Sequence, residues 1–293
     1  MLGPNQFPLQ IVKRGRASFD GDDWLFEIKH DGFRVLAIRD GGSTRLFTRN
    51  GYDISRRHKH ITEQLNGLAA KRLVIDGELV VLDDDGRSNF AKLAHGRTGT
   101  HYYAFDILML GNDDLRGLPL SERNPLLETL VSGCDPVRYT DHVVGIGREF
   151  FDAVKRAGLE GMVAKRRTSK YAGMLTDDWL KVKCLRTHDF IVGGCIPDGG
   201  RQFGALLLGE LIDGHLRYVG QVGSPSDVRV MRAIVRMLRP RLQSPFSDTI
   251  SHPGAKFCEP AIRVGVEFQD MTDDGYLRHA AFRRLADELR SPL

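Results

Sequence analysis

Cysteine is scarce. The 293-residue chain has four, Cys134, Cys184, Cys195 and Cys258, and none stands in a C-x-x-C pair. That spacing argues against a zinc ribbon and a disulfide framework. No apolar run approaches the ~18–20 residues that span a bilayer, so no membrane partner is expected. Met1 to Phe19 lacks an apolar stretch followed by a small-residue cleavage site, so it does not read as a secretory signal. Internal repeats and low-complexity tracts are missing too. Excess charge is small: 42 Lys+Arg against 38 Asp+Glu leave +4. Beyond Leu185 the two signs almost cancel, so a polyanion-binding surface must come from placement and not from bulk charge. What is present, 41% hydrophobic and 27% charged residues, is ordinary globular composition. The length suits one large domain or two modest ones, and a reduced, cytosolic protein is expected.

Patterning divides the chain. Trp24–Ile28 and Arg34–Arg39 read as strands joined by a hairpin turn at Asp31-Gly32. Thr44–Thr48 continues the pattern into a turn at Asn50-Gly51. Ile54–Leu68 reads as an amphipathic helix, and Leu73–Leu82 as an apolar strand interrupted by Asp76-Gly77-Glu78. His101–Leu110, Met162–Lys165 and Trp179–Val182 are further strands; Ser121–Val131 and Ile146–Ala157 suit helices. After Leu185, short Gly-bounded strands at Phe190–Ile196, Ala205–Leu211 and Leu216–Val222 have the spacing of a small barrel, with one helix at Asp227–Leu238. The boundary is placed at Cys184–Thr187.

The densest chemistry lies in Glu27-Ile28-Lys29-His30-Asp31-Gly32-Phe33-Arg34. A lysine at a strand end before a tight turn is held rigidly. It serves as a covalent nucleophile only when its pKa falls from about 10.4, and neighbouring cations such as Arg34, Lys181 and Lys183 push it that way. Lys181 and Lys183, two apart on one strand, point to one face.

Glu27-x-Lys29-x-Asp31-Gly32-x-Arg34 resembles the signature of the covalent nucleotidyltransferases: ATP-dependent DNA ligases, RNA ligases and mRNA capping enzymes. Thr48-Arg49-Asn50-Gly51, Asp76-Gly77-Glu78, Tyr103-Ala104-Phe105-Asp106, Glu160-Gly161-Met162-Val163-Ala164-Lys165 and Trp179-Leu180-Lys181-Val182-Lys183 resemble further motifs of that family, in its order. Past Leu185, Phe190–Gly194, Phe203–Gly209, Leu216–Gly223 and Thr272–His279 are similar to the OB-fold domain of the bacterial ligase D group, the end-joining ligases.

The resemblance implies an α+β fold. A nucleotidyltransferase (ATP-grasp-like adenylation) domain of mixed, mostly antiparallel sheets over residues 1–185 would precede a small OB-fold β-barrel over 186–293. It implies a lysine-AMP formed on Lys29 from ATP, with Lys181, Lys183 and Arg278 also in catalysis. Glu27, Arg34, Glu78, Phe105, Lys165, Lys181 and Lys183 would bind the nucleotide, with Phe105 stacking on adenine and Glu27 reading its edge. Arg34 and Arg49 would grip the DNA 5′-phosphate. Glu160, with Glu78, would hold Mg²⁺ or Mn²⁺. Asp76 and Asp106 would brace strands.

The implied substrate is nicked or broken duplex DNA, with a Ku-like end-binding protein as a candidate partner, a monomeric enzyme, and the bacterial cytosol as its location. The family's last motif closes on a basic residue, whereas Ala286-Asp287-Glu288-Leu289 has none; Arg278, Arg283 and Arg284 are the candidates to replace it. An RNA ligase, a capping guanylyltransferase, an NAD-dependent ligase and a catalytically weak DNA clamp are the rival readings. Val228–Arg241 sets Met231, Ile234, Val235 and Leu238 on one helix face and Arg229, Arg232, Arg236 and Arg239 on an adjoining one. That charged face reads either as a solvated surface or as one that tracks DNA phosphates.

Overall fold

The computed structural model describes residues 2–96, 99–199, 201–250, 252–272 and 274–288. The chain divides into two compact units, Met1–Cys184 and Leu185–Leu293.

The first unit holds two sheets. One orders β1 (Ile11–Arg14), β11 (Leu175–Lys183), β10 (Gly161–Arg166), β2 (Gly21–Ile28) and β9 (His142–Gly145). The other orders β4 (Arg45–Thr48), β3 (Phe33–Asp40), β5 (Arg72–Val81), β6 (Thr100–Leu110) and β7 (Asp113–Asp114), with β8 (Val137–Tyr139) parallel to β6. Helices α1 (Lys59–Asn66) and α3 (Leu120–Val131) pack on the second sheet and α4 (Gly147–Arg156) on the first; α2 (Phe90–Ala94) follows β5.

The run Val35-Leu36-Ala37-Ile38 is continuous because β3 is buried on both faces. Val35 and Ala37 join the cluster under α1 and α3, while Leu36 and Ile38 meet Trp179 and Tyr171 between the sheets. On the far side of the first sheet, Phe26, Met162, Ala164 and Val182 pack with Phe150 of α4. Alternation along β2, β10 and β11 therefore sends Glu27, Lys165, Trp179 and Lys181 the other way, into the space between the sheets.

Three local expectations are corrected. Asp31-Gly32 closes no hairpin: β2 and β3 belong to different sheets, and the segment is a crossover between them. Gly32 is required by proximity, since a Cβ there would lie 2.2 Å from the Leu79 carbonyl oxygen. Asp76-Gly77-Glu78 does not interrupt its strand; β5 runs through it, with only an irregularity in its pairing to β6. The single helix expected over 54–68 is a 3-10 turn, Ser55–Arg57, followed by the shorter α1.

In the second unit β12 (Arg186–Asp198) is long enough to serve two edges. Its first half pairs with β17 (Ile262–Phe268) and its second half with β16 (Lys256–Cys258), while β13 (Arg201–Ile212) lies on its other side. β14 (His215–Gly223) pairs with β13, β15 (Pro240–Arg241) with β16, β20 (Ala281–Glu288) with β17, and β18 (Asp270–Met271) with β19 (Leu277–Arg278). Phe190, Leu206, Val219 and Val264 fill the interior, closed by Met231 and Ile234 of α5 (Val228–Met237). No helix among the described residues is long and apolar enough to cross a membrane.

Candidate active site

A cavity of about 240 Å³ opens between the two sheets of the first unit. Strand register builds one wall in rows: Leu25–Lys165–Trp179, then Glu27–Val163–Lys181. Just past the end of β2, the Lys29 amide donates to the Gly161 carbonyl at 2.9 Å, and Gly161 faces Lys183, giving a third row. Lys29 and Lys183 thus flank a glycine. Gly161 has φ +153°, and a Cβ there would lie 2.3 Å from the Val182 carbonyl oxygen, so a larger residue would push β10 from β11. Glu160, one residue earlier, uses both oxygens: Oε2 is 2.5 Å from Lys29 Nζ and Oε1 is 2.9 Å from Lys183 Nζ.

Deeper in, Lys165 is spent on the protein. Its Nζ pairs with Glu27 Oε2 at 2.6 Å and donates to the Phe105 carbonyl at 3.0 Å. It also lies 4.2 Å from the Trp179 ring centroid and 4.6 Å from that of Phe105. The second oxygen of Glu27, Oε1, is buried without a hydrogen-bond partner among the described residues, so the cavity wall holds a vacant acceptor. Burial pushes the Glu27 carboxyl up to about 7, against the pull of Lys165. Burial likewise raises Glu78 to about 8. Lys181 is held below the usual ammonium range by burial and by the cations Lys29 and Lys183.

The opposite wall comes from the second sheet, where Arg34 of β3 faces Glu78 of β5. Arg34 donates from Nε to Asp76 Oδ1 at 3.0 Å, from Nη2 to Asp76 Oδ2 at 2.6 Å and from Nη1 to the Gln10 carbonyl at 2.6 Å. The Tyr171 hydroxyl donates to Asp76 Oδ2 at 2.6 Å and accepts from the Gln10 amide at 3.1 Å. Gln10 Oε1 accepts from the amides of Ala172 and Gly173. This network fixes Leu9–Val12 as a third wall. Arg49 sits exposed at the rim, on the turn where Gly51 has φ +81°.

The arrangement supplies an amine at the mouth, cations beside it, an aromatic floor and an orphan acceptor, all suited to a nucleotide. The family model described as ATP dependent DNA ligase domain matches residues 8–183, and that described as ATP dependent DNA ligase C terminal region matches 199–288. The chain belongs to the ATP-dependent DNA ligase family.

Among its relatives, the multifunctional non-homologous end joining protein LigD of Pseudomonas aeruginosa is 35% identical over 284 residues, 91% of this chain and 34% of that protein. The LigD of Mycobacterium bovis is 33% identical over 292 residues, 96% of this chain and 38% of that protein. The chain therefore spans little more than a third of these relatives' length. The crystal structure of the ligase domain from M. tuberculosis LigD is similar, with TM-score 0.59, 29% identity and coverage of 96% of this chain and 95% of that one. A mycobacterial DNA ligase D complexed with ATP and MES gives TM-score 0.60 at 29% identity, with the same coverage. The fold is accordingly the ligase catalytic domain followed by its OB-fold domain.

Of the residues expected at the ligase site, Glu27, Lys29, Arg34, Arg49, Glu78, Phe105, Lys165 and Lys181 line the cavity, and Glu160 meets both Lys29 and Lys183. Arg34 differs from expectation: its fork is turned onto Asp76 and the Gln10 carbonyl, so of the two arginines expected at a DNA phosphate it is Arg49 that faces outward. Asp76 and Asp106 brace the sheets through Arg34 and Arg123, the latter pair having no exposed side-chain surface. Arg278 lies in the other unit, on β19. There Arg283 pairs with Glu267 and Arg284 with Asp189. The last motif runs along the end of β20, and its final residue, Leu289, is outside the described residues.

The sequence reading passed over Gln10, Tyr171 and Trp179 as site residues. Trp179 carried a signal, being two residues before Lys181 on the same strand face. Gln10 and Tyr171 carried none, because their roles arise from contacts across 161 positions of sequence.

Proposed function

We propose that this ligase joins breaks in duplex DNA by carrying AMP on Lys29. The supporting observation is the row Lys29–Gly161–Lys183, which sets the amine beside Glu160 at the mouth of a cavity whose wall holds Phe105 and the vacant Glu27 Oε1. Adenine fits that interior: its ring can lie on Phe105 and its exocyclic amino group can donate to Oε1, a contact guanine cannot reproduce with its 6-oxo group. Lys29 attacks the α-phosphorus, the N–P bond forms, and the P–O bond to pyrophosphate breaks. Lys181 and Lys183 neutralise charge developing on the phosphate oxygens. Lys29 must shed a proton first, and Glu160 is the carboxylate in contact with its ammonium. AMP then passes to the DNA 5′-phosphate, gripped by Arg49, and the 3′-hydroxyl displaces it.

A divalent cation fits the donor set. Glu160 and Glu78 would hold Mg²⁺ or Mn²⁺, which supplies charge neutralisation for the triphosphate. Among the described residues no group of three or more His, Cys, Asp or Glu could hold a metal, so phosphate and water oxygens would complete its shell. Arg278 is the residue from the second unit assigned to the pyrophosphate. The names of the LigD relatives favour end joining as the setting; a Ku-like end-binding protein as partner, a monomeric enzyme and the bacterial cytosol as its place are part of the same proposal.

Incubation with α-labelled ATP and Mg²⁺, denaturing electrophoresis and mass spectrometry test the reading. Label is expected on Lys29 from ATP, at least 100-fold less in Lys29→Ala, with nick sealing lost alongside. Label from GTP alone indicates a capping-type enzyme, and label from NAD an NAD-dependent ligase. Equal binding of nicked duplex by wild type and Lys29→Ala, with neither sealing it, indicates a clamp.

A further inference from the structure

Helix α5 lies outside the catalytic unit and carries charge that the fold does not use. Its inward face is apolar, with Met231 and Ile234 buried in the second core. At about 100° per residue, Arg229, Arg232 and Arg236 fall within about 60° of arc on the outward face. All three are exposed. The helix, Val228–Met237, contains no acidic residue. Arg229 reaches Asp227 through contacts of 3.3 and 3.5 Å, and Arg232 and Arg236 meet no acidic partner among the described residues.

Two local rules are broken here. Arg232 and Arg236 are a like-charge pair at i, i+4, which destabilises a helix. Arg229 stands in the first turn, where the helix dipole is positive and disfavours a cation. Neither Arg232 nor Arg236 gains an acidic partner among the described residues of the unit from this arrangement. Such local inconsistencies mark functional surfaces.

We infer that this arginine ridge is a second contact surface for the phosphate backbone of the duplex, distinct from the Lys29 cavity. Arg229 to Arg236 spans about 10 Å along the helix axis, enough to face roughly three successive phosphates of one strand at about 3.4 Å of DNA axis each. Guanidinium forks suit phosphate oxygens, and three in a row carry no base-reading geometry, so the ridge contributes affinity and not sequence preference. The occupant follows from charge complementarity and from the chain's membership of a DNA ligase family, and so rests on the proposed function.

The test is a salt titration of nicked-duplex binding with the full chain, comparing wild type with the double variant Arg232→Gln/Arg236→Gln. Removing two phosphate contacts should make the log–log salt slope shallower by about 1.8, so that between 50 and 200 mM salt the variant loses about tenfold less affinity than wild type does. Lys29 adenylation should be unchanged, because neither arginine belongs to the nucleotide site. The melting temperature should hold or rise, because a like-charge pair is removed. An unchanged slope overturns the ridge. A fall in melting temperature that accompanies weaker binding also overturns it, assigning the arginines to the helix itself. An acidic peptide that binds the ridge while the duplex slope stays fixed overturns it in favour of a protein partner. Failure of wild type to adenylate Lys29 would sink the catalytic reading alone, since the slope is measured without nucleotide.

Discussion

His30 directly follows Lys29, the proposed nucleophile, and is neutral in the fold. Its ring stacks on Tyr103 with centroids 4.1 Å apart, and burial, reinforced by Lys29, lowers its pKa from 6.5 to about 4. The unfolded chain takes up a proton near pH 6.5 that the folded chain refuses until about pH 4. Stability is therefore fully present above pH 6.5 and falls as the pH drops towards 4, by about 1.4 kcal/mol per pH unit from this group. His58, lowered to about 4 chiefly by burial, adds a slope of its own. Urea unfolding at pH 7 and pH 5 should show wild type losing about 2 kcal/mol more than His30→Gln; parallel losses would disprove the assignment. One histidine without ligand spacing carries no pattern, so the burial of His30 is not legible in the sequence. Lys29, Glu27 and Phe105 were legible because their types and spacing match a family motif. The use of Lys165 against Glu27 was not, as it depends on which face of β10 looks across to β2.

Gly32 shows how a correct residue can be read for the wrong reason. Asp-Gly before an alternating run signals a hairpin, and the same dipeptide serves a crossover that leaves one sheet for the other. What distinguishes them is distant: β2 pairs with β10 and β9, and β3 with β4 and β5. Local pattern cannot report such pairings. β5 was read as broken because Asp76 and Glu78 are polar in a central strand, yet Asp76 is paired with Arg34 and Glu78 lines the cavity. The alternation that sends Lys181 and Lys183 to one face was legible outright. Gly32→Ala puts a methyl 2.2 Å from the Leu79 carbonyl oxygen and forces the crossover, with Lys29 at its start, off β5. The expected cost is about 1–3 kcal/mol of stability. Displacing Lys29 by about 1 Å should slow its adenylation roughly 100-fold. Gly42→Ala, where an added Cβ meets nothing within 4 Å, is the control and should adenylate at the wild-type rate. Equal rates in the two variants would refute the crossover argument.

The two units divide the chemistry unequally. Every residue lining the cavity belongs to Met1–Cys184, while Arg278, Arg283 and Arg284 belong to Leu185–Leu293. The change of register near Leu185 was legible because Gly-bounded short strands replace the longer mixed elements. Which of Arg278, Arg283 and Arg284 stands in for the missing basic residue of the last motif was not legible in the sequence. Arg284 is held by both oxygens of Asp189 at 2.8 Å, and Arg283 by Glu267. A chain ending at Cys184 keeps the cavity and both of its sheets, so it should bind ATP within about threefold of the full chain, as expected of a unit with its own core. Trp179 lies in the cavity wall, and quenching of its fluorescence reads this binding directly. Nick sealing should be lost altogether, because the second unit carries Arg278 and the arginine ridge proposed to contact pyrophosphate and duplex. A truncated chain that keeps its circular dichroism spectrum but no longer binds ATP would show that the second unit helps to build the nucleotide site, and the division of labour drawn here would be wrong.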